Sequence, residues 1–274
     1  MNSEEGGSVA DAGSVDRGTA PAVTRAIAIL GLLAESQGLP MGLSEIARAL
    51  GIAKSSTSNL CVALEEGGLV QRSDLGYTLG RRNVELGGAF LRSFDQVREF
   101  YKICSESSVL SHELLQIAVL DGVDVLYLAR HEGRAPLRLS ATIGDRFPAA
   151  LTAVGNALLS LLTPAEVAAR YDGVQEWPQL TEYSVRTVDE LQAKLAKTRE
   201  RGYSLDEGEV FPSVIGVATV IPPRSSGDVP MALGASMFRS ADSPEHREQV
   251  IEALRDGANQ LGNPMIIALE DKPV

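Results

Sequence analysis

Between residues 24 and 66, apolar side chains recur at helical spacing in three short blocks separated by glycine. Thr24 reads as the N-cap of the first, which carries Ala26, Ile27, Leu30 and Leu33 and stops near Gln37-Gly38. Ser44 reads as the cap of the second, which holds Ile46, Ala47 and Leu50 and ends at Gly51. The third runs from Lys54 to Glu66, with Leu60 and Leu64 inward, until Gly67-Gly68 breaks it. Two short apolar stretches, Leu69 to Arg72 and Tyr77 to Leu79, then flank the turn signal Asp74-Leu75-Gly76, which is a hairpin pattern.

The pattern changes further along. Val84, Leu86, Leu91, Val97, Phe100 and Ile103 keep a helical period, which predicts one or two linking helices. Leu114 to Leu120 and Val123 to Ala129 read as strands around Asp121-Gly122, with a further strand at residues 137–141. A helix is expected over residues 151–162. Another follows from Thr163, where Pro164 and Glu166 complete a capping box. A charged helix from Val188 to Arg201 ends at Gly202. Strands at Val214 to Ile221 and Met231 to Ser236 precede a last helix from Pro244 to about Leu261.

The expected class is α+β. Residues 1–22, rich in Gly, Ser, Ala and Asp, read as a disordered tail. Residues 23–82 read as a winged helix-turn-helix, 83–111 as a helical linker and dimerisation region, and 112–274 as a second domain. With 274 residues there is room for about two domains of ordinary size.

Charge sharpens this picture. The formal net charge of −11 argues against a protein that coats nucleic acid. Its distribution says otherwise: residues 1–16 carry −4 and residues 84–274 carry −9, while residues 17–83 carry +2. The one positive region is the one shaped to touch DNA. No leader-like or membrane-spanning apolar run is visible, and Cys61 and Cys104 match no metal or disulfide pattern, so a reduced cytoplasmic setting is expected.

Lys54, Ser55, Ser56, Ser58 and Asn59 place one cation and short polar groups at the start of the third helix. Helix-start N–H groups and Lys54 suit phosphate, while serine and asparagine suit base edges. Arg25, Arg72, Arg81 and Arg82 supply flanking cations for double-stranded operator DNA. Few cations imply weak binding by one copy, hence a homodimer across half-sites. The alternative is a protein-docking module of the same shape.

The second domain shows little sign of catalysis. His112, His131 and His246 form no metal motif, and no nucleophile elbow or phosphate loop is present. A small-molecule enzyme using scattered residues is the remaining rival. No cofactor is implied. A pocket is more plausible, with Gly144 and the small-residue helix start Thr152-Ala153-Val154-Gly155 on one side. Asp206 to Glu209 and the strand from Val214 would form the other. Gly155 and Ala157 fit close helix-to-sheet packing better than ligand contact.

These features together resemble the IclR family of bacterial transcriptional regulators. The likeness covers residues 23–263 and rests on Val23-x-Arg25-Ala26, Leu43-x-Glu45-Ile46-Ala47, Gly51-Ile52-x-Lys54-Ser55-x-Thr57, Gly68-Leu69-Val70 and Tyr77-x-Leu79-Gly80. Further on it includes Thr152-Ala153-x-Gly155-x-Ala157-Leu158-Leu159, Arg201-Gly202-Tyr203 and Glu209. The resemblance implies a GAF-like effector-binding domain, dimers or dimers of dimers, and control of catabolic genes through a small organic acid or aromatic effector. It places effector contacts at Ala153, Val154, Asp206, Val214 and Gly216. Many members carry a basic residue at Asn59, lysine at Asn156, histidine at Ala150 and cysteine at Gly216. The smaller residues at the last two positions imply a roomier pocket and a larger or partly aromatic ligand.

Overall fold

A computed structural model describes residues 20–133 and 142–263. The chain divides into two units with the boundary after Ser93.

The first unit contains α1 (Pro21–Glu35), α2 (Leu43–Ala49), α3 (Lys54–Glu66), β1 (Val70–Ser73), β2 (Gly76–Leu79) and α4 (Arg82–Leu91). Proline fits the first helical position because its missing N–H would be unpaired there anyway, and α1 accordingly starts at Pro21. Thr24 is therefore inside the helix, its Oγ1 donating to the Ala20 carbonyl at 3.4 Å, and not the cap expected. Residues 20–22, assigned to the tail from sequence, thus belong with this unit.

Ile29 and Leu33 are the buried residues of α1, whereas Ile27 is 63% exposed. They pack with Ile46, Cys61, Leu64, Val70 and Tyr77. The expected Ser44 cap is displaced too. Gly42 holds the cap position of α2, and its N–H donates to the Glu45 carboxylate at 2.7 Å. Gly51 joins α2 to α3 at φ 63°, a left-handed value that glycine adopts without strain. The hairpin packs tightly: a β-carbon on Gly80 would stand 2.2 Å from the Gly68 carbonyl oxygen.

The second unit begins with α5 (Asp95–Glu106), which is part of its own core through Val97, Phe100, Ile103 and Cys104. Six antiparallel strands follow: β3 (Leu114–Asp121), β4 (Asp124–His131), β5 (Arg146–Pro148), β6 (Ser204–Asp206), β7 (Val214–Ile221) and β8 (Met231–Phe238). Their order is β5-β4-β3-β8-β7-β6. The short strands β5 and β6 escaped the sequence pattern because three residues carry no readable period. The expected strand at 137–141 lies outside the described residues.

Helices α6 (Ala153–Leu159), α7 (Pro164–Arg170), α8 (Val188–Arg201) and α9 (Pro244–Gly262) complete the unit. The α6 helix is shorter than the 151–162 expected, because Leu151 sits in the turn after β5 and Thr163 caps α7. Neighbouring residues on a strand face opposite ways. Accordingly, a β-carbon on Gly234 would meet Val154 of α6 at 2.6 Å, while Leu233 reaches the α9 side, within 3.4 Å of a β-carbon on Gly257. The sheet is covered on both faces.

Candidate functional site

On the first unit, Thr57, Cys61 and Leu64 turn α3 inward, which leaves the opposite face open. Lys54, Ser55 and Asn59 are exposed and Ser56 and Ser58 half-buried. Residues four apart share a helix face, so Lys54 stands beside Ser58 and Ser55 beside Asn59. No side chain caps the start of α3, so its first N–H groups are available to an anion. Thr57 is spent inside, its Oγ1 donating to the Ala53 carbonyl at 3.2 Å.

The flanking cations divide. Arg72 is exposed on β1, its guanidinium 5.8 Å from the Tyr77 ring centroid. Arg81 is exposed at the start of α4. Arg82 is exposed too but pairs with Glu85 at 2.6 Å. Arg25 is half-buried on α1. Among the described residues, α4 buries none of its side chains, and Val84, Leu86 and Phe90 are 77%, 51% and 49% exposed.

On the second unit, a cavity of about 40 Å³ lies between α6 and the sheet. Thr152, Ala153, Val154, Asp206, Val214 and Gly216 all line it. Gly144 and Glu209 do not. Gly144 is a turn residue at φ 93° whose N–H donates to the Tyr127 carbonyl at 2.9 Å. Glu209 turns instead to Lys194 of α8, forming an ion pair in which the side chains are 9% and 14% exposed. Burial pushes the Glu209 carboxyl up, and the ammonium of Lys194 opposes that.

Lining residues missed from sequence include Gln116, Tyr127, Phe147, Phe211 and Ser236. Gln116 and Ser236 did carry a signal, each being a polar residue inside an otherwise apolar strand. The aromatic wall had none, since Tyr127–Phe147 and Phe147–Phe211 meet only in the fold, at 5.8 and 6.4 Å between centroids.

Asp206 is the cavity's ionisable group of greatest interest, only 7% exposed. Its Oδ1 accepts from the N–H groups of Gly208 at 3.0 Å and Glu209 at 2.7 Å. Its Oδ2 has no hydrogen-bond partner among the described residues. Burial pushes this carboxyl up to about 7, against the lowering effect of the Glu209 N–H and of Lys194. Near neutral pH it is therefore divided between acid and carboxylate.

The roomier pocket expected from Ala150 and Gly216 is absent. A β-carbon on Gly216 would stand 3.2 Å from the Ala153 methyl and 3.3 Å from Asp206 Cβ, so neighbours already fill the space. Ala150 is buried outside the lining. Some 40 Å³ holds a few waters, not an organic ring. Gly155 serves close packing, as a β-carbon there would meet the Ala149 carbonyl oxygen at 2.2 Å.

Among the described residues, no three His, Cys, Asp or Glu side chains gather as a metal requires. His246 meets Glu113 at 3.0 Å, and His112 meets the Ser108 carbonyl at 2.9 Å. No helix among the described residues is long and apolar enough to cross a membrane.

Known proteins resemble both units. Residues 22–74 match the IclR helix-turn-helix domain, and residues 89–263 match the bacterial transcriptional regulator IclR C-terminal domain. The HTH-type transcriptional regulator XynR of Escherichia coli is 30% identical over 248 residues, covering 88% of this chain and 97% of the relative. The crystal structure of the Agobacterium tumefaciens repressor BlcR is 32% identical with a TM-score of 0.57, covering 89% of this chain and 96% of that one. An IclR homolog from Microbacterium hydrocarbonoxydans, solved in complex with 4-hydroxybenzoate, shares the fold at 23% identity and a TM-score of 0.72, covering 88% of this chain and 97% of that one.

Proposed function

The chain belongs to the IclR family of bacterial transcriptional regulators, and on that basis we propose how its two units divide the work. It is a ligand-responsive, DNA-binding regulator of catabolic genes, with an N-terminal helix-turn-helix region and a C-terminal α+β effector domain. Regulators of this family are DNA-binding proteins and not enzymes.

In our reading α3 is the recognition helix. Lys54, Arg72 and Arg81 set affinity through phosphate, and Ser55, Ser56, Ser58 and Asn59 set sequence choice. Arg25 and Arg82, each already engaged, contribute less. A second copy pairs through the exposed apolar side of α4 and brings two reading heads to a pseudo-palindromic operator. A pair of such dimers is compatible with the same contacts. The GAF-like description suits the six-stranded sheet with helices on both faces, and the working compartment is the cytoplasm.

The effector belongs in the Asp206 cavity. Asp206 carries this reading, because its Oδ1 is engaged by the Gly208 and Glu209 N–H groups while the residue lines the cavity and leaves its other oxygen to a hydrogen-bonding ligand. The rings of Tyr127, Phe147 and Phe211 favour a small aromatic or organic compound that directs a hydroxyl or an acid group at Asp206. Since the cavity as it stands has room for only a few waters, the Val210-Phe211 segment yields when such a ligand enters. Occupancy then biases the two reading heads between arrangements that differ in operator affinity.

The test is fluorescence anisotropy on duplexes from the region upstream of this chain's own gene, with and without a panel of small aromatic and aliphatic acids that includes 4-hydroxybenzoate. Specific binding that a panel member shifts, and that Asp206→Asn desensitises, is expected. A folded dimer that binds no upstream fragment would favour a protein-docking module.

A further inference from the structure

The second unit contains another cavity, of about 150 Å³, that shares no lining residue with the one around Asp206. It lies where the loop between β7 and β8 meets the first turn of α5. Leu161, Val220, Pro223, Val229 and Met231 are among its apolar walls. Two polar side chains also line it, Gln96 and Asp228.

Those two differ in what they have left to offer. The Asp228 carboxylate is fully engaged in holding the loop: its Oδ2 accepts from the N–H groups of Arg224 at 2.7 Å and Ser225 at 3.0 Å, and its Oδ1 from Ser225 Oγ at 2.5 Å. Arg224 itself is directed away, to the Leu261 carbonyl at 2.8 Å and into an ion pair with Glu99. Gln96 is only 6% exposed, yet its amide has no hydrogen-bond partner among the described residues. The free space its amide reaches is this cavity, where a hydroxyl or carbonyl group of an occupant can pair with it.

The walls are also held in shape before anything binds. Pro222, Pro223 and Pro230 fix their own φ angles, and the Asp228 and Arg224 contacts pin the loop to itself and to α9. A pre-formed apolar recess with one convergent polar group has the make-up of a small-molecule site. Its volume is enough for a single ring, and its rim of Leu161, Pro222, Pro223, Val229 and Pro230 is open to solvent. Both charged groups nearby are spent on other partners, so an ion gains nothing by entering.

We propose that this recess is a second ligand site, independent of the Asp206 cavity, for an uncharged single-ring compound bearing one hydroxyl or carbonyl group that pairs with Gln96. Its occupant rests on the first turn of α5, the first element after the boundary between the two units. A ligand there stiffens the start of α5.

Titration of the full chain with phenol, cyclohexanol and toluene, followed by calorimetry and by ligand-observed NMR, tests this. Saturable binding of all three is expected, with phenol and cyclohexanol favoured over toluene. Gln96→Leu should weaken the two alcohols about tenfold and leave toluene within about twofold, the signature of one missing hydrogen bond. Val229→Trp, a change at a half-exposed rim position, should abolish binding of all three with the melting temperature unchanged. Asp206→Asn should leave all three affinities as they were. The proposal is overturned if the compounds show no saturable binding, if binding survives Val229→Trp, or if Asp206→Asn removes it. It is equally overturned if Val229→Trp changes only the oligomeric state, since the recess would then be an interface between copies.

Discussion

Lys194 on α8 and Glu209 beyond β6 form a largely enclosed ion pair, and the Lys194 ammonium also donates to the Ala150 carbonyl at 3.2 Å. One cation thus ties three segments, the turn before α6, α8 and the Glu209 loop, behind the wall of the Asp206 cavity. Removing one member of such a pair strands the other charge. Lys194→Met is expected to destabilise the second unit by about 3–5 kcal/mol in urea titration, while Lys194→Met combined with Glu209→Leu recovers most of the loss. If the double variant is as unstable as the sum of its singles, the pair contributes no coupling.

Asp206 makes stability depend on pH, with a sign fixed by its upward shift. An unfolded aspartate releases its proton near 3.8, whereas the folded one holds it up to about 7. The favourable contribution is complete below the unfolded value and is lost as pH rises through about 7. Asp206→Asn, which imitates the protonated acid, should flatten the fall in melting temperature across that window and leave the variant the more stable at pH 8. A parent chain whose melting temperature is level across this range would remove the argument.

On the DNA side, Lys54→Ala should weaken operator and non-operator duplexes alike. It should reduce the slope of log K against log salt by about 0.9 for each phosphate that the variant no longer neutralises. Asn59→Ala should instead narrow the gap between operator and scrambled duplex with little change in slope. An unaltered salt slope in the first variant would contradict the phosphate role of Lys54.

Gly80 tests the wing. A side chain there meets the Gly68 carbonyl oxygen at far less than van der Waals distance, and backbone cannot yield as a flexible side chain would. Gly80→Ala is expected to cost the first unit roughly 1–3 kcal/mol and to lower operator affinity with it, read from thermal unfolding and from anisotropy. Gly31→Ala on α1, where a β-carbon meets nothing within 4 Å, serves as the control that should be neutral or slightly stabilising.

Much of this protein is legible in its chain alone, and the reason is locality. Helix α3 from Lys54 to Glu66, the capping box of Thr163 and Glu166, the Gly202 stop of α8 and the strand from Val214 to Ile221 follow from spacing, caps and turn residues read within a few positions. The exposed polar start of α3 was legible in the same way, and six of the eight effector residues expected from sequence line the cavity, Gly216 having come from the family resemblance and not from spacing. Caps at Thr24 and Ser44 were misplaced because Pro21 and the Glu45–Gly42 hydrogen bond outcompete them locally.

What the cavities are made of is settled by tertiary packing alone. Phe147 of β5 and Phe211 of the loop before β7 meet only in the fold, Glu209 is drawn to Lys194 of α8, and Gly216 opens no room because Ala153 and Asp206 close on it. The Gln96 recess exists because a hairpin loop more than a hundred residues away folds over α5. Such facts depend on close packing between distant segments, where a few tenths of an ångström separate a filled site from an open one, and no local pattern in the chain records them.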